Sequence, residues 1–265
     1  TPFNQDISGW ITSNVTDMGQ MFESATVFNQ NIGKWDVGNT TNMGYMFYHA
    51  FAYNNNGQED ISGWNTSNVV TMEGMMADSV FNQPIGTWDV SKVPSMTSMF
   101  YNTPFNQDIS GWITSNVTDM MNMFTRASQF NQSIINWDVS KVITMYEMFD
   151  SAPRFNKNIR SWNTMNVTDM SNMFNSATAM NDRFNGFYGY GNTPSNTFFN
   201  VDYITDTYFT SEITNWFDNS QNSQFIDPTN NPYYSPLPFW ETELVTNMSN
   251  SFLNRTTFNE NIGNW

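Results

Sequence analysis

The chain contains no cysteine, which removes disulfides, thiolate nucleophiles and cysteine-based zinc sites. Its one histidine, His49, has no second imidazole to work with. The acids nearest to it lie in another repeat unit, so it is not read as a catalytic base. Basic residues are scarce: 9 Lys+Arg against 24 Asp+Glu give a net charge of −15. That balance argues against nucleic acid or an anionic membrane surface as partner, because phosphate binding needs basic patches. No stretch approaches the ~20 apolar residues of a membrane span, so no direct membrane insertion is expected within this segment, and no signal peptide is visible. The first residues are Thr1-Pro2 rather than Met, which reads as a mature product or an excised fragment. Leucine occurs three times in 265 residues (Leu237, Leu244, Leu253), so the core is not of ordinary composition.

What is present instead is 40 Asn, 19 Met, ten Trp and 17% aromatic residues. That much aromatic surface argues against disorder. The tryptophans stand at 10, 35, 64, 88, 112, 137, 162, 216, 240 and 265, mostly 24 or 25 residues apart. Other residues keep phase with them: Ile three before, Phe-Asn seven and six before, Met eight and eleven after, then Phe. The unit reads F-N-Q-x-I-x-x-W-x-[VT]-S-x-V-T-x-M-x-x-M-F, and such self-similarity is the signature of stacked repeats.

Each half of the unit has its own period. In I-x-x-W-x-[VT] the alternation of Trp and the residue two beyond predicts a short strand. In V-T-x-M-x-x-M-F the apolar residues at relative positions 0, 3, 6 and 7 predict a short helix, with Thr as N-cap. One strand and one helix per ~25 residues gives an α/β solenoid of leucine-rich-repeat type, about ten to eleven coils in one continuous stack over 1–265. Units with Ile-Thr-Ser or Asn-Thr-Ser after the Trp alternate with units carrying Asp-Val-Ser or Asp-Val-Gly, a supercell near 50 residues. Residues Thr1–Met18 are identical to Thr103–Met120, which marks a duplication of about four units.

Regular coils are expected over 1–179, with a bulge around Asn54-Asn55-Asn56-Gly57. Residues 180–239 lose the Met marks and gain Pro, Tyr and Phe, so loops are expected to replace the helix there. The motif resumes over 240–265, and ending on a core Trp suggests a truncated fragment of a longer chain.

Phe105-Asn106-Gln107-Asp108-Ile109-Ser110-Gly111-Trp112, followed by Ser115-Asn116-Val117-Thr118-Asp119-Met120 and Met123-Phe124, resembles the BspA-type leucine-rich-repeat surface proteins. The likeness is strongest to the mycoplasma-type surface lipoprotein repeats of that group, and covers residues 1–180 and 209–265. It implies an exported, surface-exposed protein engaged in adhesion or host interaction, with no catalytic residues to transfer.

The Trp and Met ladders, in strict phase with Ile and Val, read as core stacking, with Met filling gaps that Leu would otherwise fill. The recurrent Asn, from Asn4 through Asn259, reads as an internal ladder satisfying turn backbone groups from coil to coil. Candidate binding residues are Asp36, Asp89 and Asp138, outward on alternate coils, and Tyr188, Tyr190, Tyr233 and Tyr234 in the aromatic segment. The aspartates form a solvated acidic stripe, and Ca²⁺ is the one metal that carboxylates with Asn carbonyls would suit. No other cofactor is implied. Sequons place candidate glycosylation at Asn14, Asn39, Asn65, Asn116, Asn166 and Asn247, with further matches at Asn131 and Asn254.

Nothing argues for an enzyme. Two readings remain for an extracellular or cell-surface location, or the surface of a virion or filament. One is an adhesion or recognition module meeting a protein or glycan ligand. The other is a structural rod that assembles with copies of itself.

Overall fold

The computed structural model describes residues 2–54, 60–187 and 189–199, together with the backbone of two short strands. The chain divides into two compact units, Thr1–Asn200 and Val201–Trp265. Within the second, β1 (Phe225–Ile226) pairs antiparallel with β2 (Pro232–Tyr233). The remainder of 180–239, and the expected coil at 240–265, lie outside the described residues beyond Phe199.

Within the first unit each repeat hydrogen-bonds to the next through alternate backbone groups. Met18, Gln20, Phe22 and Ser24 N–H donate to Asn42, Gly44, Met46 and Tyr48 C=O at 2.7–2.9 Å. Met96, Ser98, Phe100 and Asn102 repeat the step onto Asp119, Met121, Met123 and Thr125. The intervening N–H groups close turns within their own repeat, as Met21 does onto Met18 and Ala25 onto Phe22. Parallel bridges join Asp17 to Asn42 to Thr71, and Ser95 to Asp119 to Thr144 to Asp169.

The local elements differ from those the sequence periods predict. The Met-bearing half is a run of tight turns where a helix was expected. Two residues per unit are left-handed, for example Gln20 and Ser24 at φ 58 and 57, and Asn122 and Arg126 at φ 56 and 58. A left-handed residue interrupts the i→i+4 ladder, so no helix propagates. The Met-x-x-Met spacing misled because three residues is the closing distance of a β-turn as well as the step of a helical face. The expected strand is displaced too. Trp35 N–H bonds Ile32 C=O at 3.1 Å, a turn through Gly33-Lys34, and the parallel pairing sits seven residues after the Trp.

The third correction concerns helix itself. Among the described residues the α-helix is α1 (Thr178–Phe184), at the edge of the segment expected to lose its helices. Met180 and Phe184, four apart, bury one face, and Arg183 lies in the last turn where a cation suits the dipole.

The core consists of rows running from repeat to repeat. Phe28, Tyr53, Phe81, Phe105, Phe130 and Phe155 form one stack, successive rings 5.8–6.4 Å apart. A second row, Phe100, Phe124, Phe149 and Phe174, continues at 5.5–6.0 Å. From Trp35 through Trp162 the indole N–H reaches back to an Ile carbonyl of the preceding repeat, as in Trp35 to Ile7, Trp112 to Ile85 and Trp162 to Ile134, at 3.1–3.2 Å. Trp rings stack in pairs, Trp10 on Trp35, Trp64 on Trp88 and Trp112 on Trp137. Thr12, Thr66 and Thr114 Oγ1 donate to Asp36, Asp89 and Asp138 carbonyls within the same two-repeat cells. The 50-residue supercell is therefore a packing unit. Trp112, with a repeat on both sides, is 3% exposed.

Candidate functional site

Three corners recur in the repeats, and many of them are closed by a short polar side chain that accepts the N–H two residues on. Asp6, Asp60 and Asp108 do this four residues before the Trp, bonding Ser8, Ser62 and Ser110 N–H at 2.9–3.0 Å. Asp17, Asp119 and Asp169 do it seven after, at 2.8–2.9 Å. Asp36, Asp89 and Asp138 do it one after, accepting from Gly38, Ser91 and Ser140 N–H at 2.9–3.0 Å. These are Asx turns, and they account for the aspartates structurally. Asn65 and Asn163 take the same role in the Trp64 and Trp162 repeats, whereas Ile11 and Ile113 stand there in the Trp10 and Trp112 repeats.

The predicted binding aspartates therefore hold corners. All three are exposed, as expected. They belong to alternate repeats, and among the described residues no three His, Cys, Asp or Glu side chains gather as a metal-holding group. Side-chain and backbone hydrogen bonds from Ser91 and Ser140 hold the Asp89 and Asp138 carboxyls below the usual range.

The asparagines six residues before the Trp, with Asn54 ten before Trp64, form the expected ladder. Asn4, Asn29, Asn54, Asn82, Asn106 and Asn131 Oδ1 each accept the backbone N–H of the next Asn in the row, at 2.8–3.2 Å. The row lies at the surface, partly exposed, rather than inside. Asn54 carries it through the inserted region, a member that reading Phe-Asn pairs misses because Tyr53 precedes it.

The sequon row is also structural. Asn39, Asn116 and Asn166 Nδ2, the atoms a glycan would join, donate to Ser13, Ser91 and Ser140 carbonyls of the preceding repeat at 2.7–2.8 Å. Asn14 and Asn65 are exposed, and Asn247 lies outside the described residues.

Of the candidate tyrosines, Tyr190 is half-buried and packs against the core. Its hydroxyl donates to Asn181 Oδ1 at 2.7 Å, and its ring meets Phe174 and Phe198 at 5.6 and 5.1 Å. Burial pushes its pKa well up. Tyr188, Tyr234 and the Tyr233 side chain lie outside the described residues.

A different surface carries the side chains the fold leaves over. Nine, ten, thirteen and fourteen residues after each Trp, the turns present positions that change from repeat to repeat. Tyr45, Tyr48, His49 and Phe51 form a run of rings: Tyr45 edge-on to Tyr48 at 5.8 Å, Tyr48 stacked on His49 at 3.8 Å, His49 against Phe51 at 5.6 Å. Burial, with help from Glu73, raises the Tyr45 hydroxyl pKa. His49 Nε2 meets Asp78 Oδ2 at 3.2 Å, and Asn102 Nδ2 bonds Asp78 Oδ1 at 2.6 Å. Further along, the Arg126 guanidinium sits over Tyr101 at 5.8 Å, and the Glu147 carboxylate holds the Tyr146 hydroxyl and raises its pKa. Comparing the repeats with one another, position by position, is the signal that would have found this face.

The same repeat is what other proteins share. A family model described as "Mycoplasma protein of unknown function, DUF285" matches residues 1–60, 56–114, 102–216 and 220–265. The chain belongs to this family. The matched stretches run through the aromatic, proline-rich segment, so residues 180–209, which the motif alone leaves out, fall within the family's range as well. No curated protein and no solved structure matches the chain.

Proposed function

We propose that this DUF285 member is an extracellular, surface-exposed repeat protein acting as a non-enzymatic adhesion or recognition module on a leucine-rich-repeat-like solenoid of the BspA kind. The observation that carries the reading is a division of labour. Trp, Ile, Met, Phe, Asn and corner Asp recur in rows that satisfy one another, while the turn positions vary in ring, charge and size. A fold that needed only to stack would not require that variety. The ligand is a protein or glycan displayed on a surface.

A structural rod is the second reading, favoured by the backbone hydrogen bonds that run in one register from repeat to repeat. Sedimentation and electron microscopy of the purified chain, with binding to immobilised surface proteins and a glycan array, separate the two. Recognition predicts a monomer that binds; filaments with no binding would overturn it.

A further inference from the structure

Resting on the recognition reading, we propose that the ligand face is the turn surface around Tyr45, Tyr48, Tyr101 and Glu147, and that its partner is a protein presenting an arginine-rich surface.

The first argument is which acids the fold leaves over. Nine described aspartates close corners, as set out above. The described acids with no corner to close are Glu23, Glu73, Asp78, Glu147 and Asp150, all on the turn rows, and Asp182 on α1. Every described glutamate is thus on this face. A glutamate is one methylene too long to make an Asx turn, so it adds charge here without adding a corner. Against these five acids the same rows carry one arginine, Arg126.

The second argument is the rings. Tyr45 and Phe51 are 36% and 53% exposed, while the counterparts of Tyr45 in the neighbouring repeats are Gln20 and Gly74. The stack does not need a ring there. Gly74 is buried beneath Tyr45, and a Cβ at that point would collide with its ring. Glycine at this position therefore lets the tyrosine lie flat along the surface.

The third argument is a contact the chain already makes. Arg126 over Tyr101 is a guanidinium resting on an aromatic face. Tyr45 and Tyr146 stand on the same surface beside Glu73 and Glu147, an arrangement that offers an incoming guanidinium both a ring and a carboxylate. Arginine suits this pairing better than lysine, because its planar head stacks as well as bonds. A neutral sugar would use the rings but gain nothing from the carboxylates' charge.

The test uses the full chain, with a nona-arginine peptide, a nona-lysine peptide and a neutral glycan array as probes, titrated at low and high salt. One variant carries Glu73→Gln, Glu147→Gln and Asp150→Asn. A second carries Asp36→Asn, Asp89→Asn and Asp138→Asn, the same charge change at corners where Asn65 and Asn163 show that asparagine serves. A third carries Tyr45→Gln and Tyr48→Thr, residues that stand in the same rows as Gln20 and Thr125. The proposal expects about a tenfold loss of arginine-peptide affinity in the first variant and much less in the second. It expects the third to lose affinity for arginine more than for lysine. Equal losses in the first two variants would mean bulk charge alone and would overturn it. Salt-insensitive glycan binding that the third variant abolishes would overturn the partner class and leave the recognition reading standing. A wild-type chain that forms filaments and binds none of the probes would remove that reading itself.

Discussion

Tyr53 occupies a row otherwise built of phenylalanine, between Phe28 and Phe81, and its hydroxyl is fully buried with no hydrogen-bond partner. An unsatisfied buried hydroxyl costs about 1–3 kcal/mol, so Tyr53→Phe is predicted to stabilise the chain by about 1 kcal/mol in urea unfolding. An unchanged or lower midpoint would show that the hydroxyl is satisfied. Burial also raises the pKa of Tyr53 and Tyr190. For groups raised in the folded state the stabilisation is complete below the unfolded value of about 10 and is lost as pH rises beyond it. Stability should therefore fall on the alkaline side of pH 10, and less steeply in a Tyr53→Phe, Tyr190→Phe double variant. Trp112, buried with its N–H on Ile85 C=O at 3.1 Å, should lose about 3–5 kcal/mol on replacement by Ala. Residues of this kind were legible in the sequence: a Trp repeated in phase with Ile has no other use than the core. Tyr190 was not, because the aromatic segment around it has no repeat against which an inward ring could be told from an outward one.

At the scale of the element, the tight turns behave as units. Gly74 at φ 55 lies under Tyr45, so Gly74→Ala should destabilise by about 1–3 kcal/mol, while Tyr45→Gln should relieve the part that comes from the collision and leave the cost of a left-handed alanine. A double-mutant cycle measures the coupling, and additive losses would deny the contact. The corners respond to acid. Asp89 and Asp138 have lowered pKa values from Ser91 and Ser140, so their contribution is present above the ordinary carboxylate range of about 4 and is lost as pH falls through their lower folded values. Asp89→Asn with Asp138→Asn should flatten the stability profile in that window; a profile as steep as the wild type's would place the acid sensitivity elsewhere. Element type was the least legible part of the fold. A period of three reads equally as a helix or as consecutive turns, and left-handed Gln20, Asn122 and Arg126 carry no glycine signature to decide between them. The corner role of aspartate hides in the same way, because an outward acid looks free until its backbone partner is seen.

For the whole stack, the two-repeat cell is the natural step. Removing residues 103–152 joins Asn102 to Pro153 and preserves the alternation of Asp-type and Thr-type repeats. Removing 103–127 alone sets two Asp-type repeats together and forfeits the bond from Thr114 to the Asp138 carbonyl. The longer deletion should therefore unfold in one sharp transition and the shorter one at a lower temperature; the reverse order would dissolve the cell. The rows that join one repeat to the next were visible in the sequence because their residues recur in phase. The face proposed for a ligand was not, since a repeat advertises what is constant and hides what varies. The central claim is that scaffold and recognition surface occupy separate rows, and one measurement tests it most directly. The thermal midpoint is compared between the wild type and a chain whose turn positions 45, 48, 49, 78, 101, 126, 146 and 147 all carry the residues of the Trp10 repeat. The account predicts a shift of no more than a few degrees, with Gly74 and the corner aspartates kept. Collapse of the cooperative transition would contradict it.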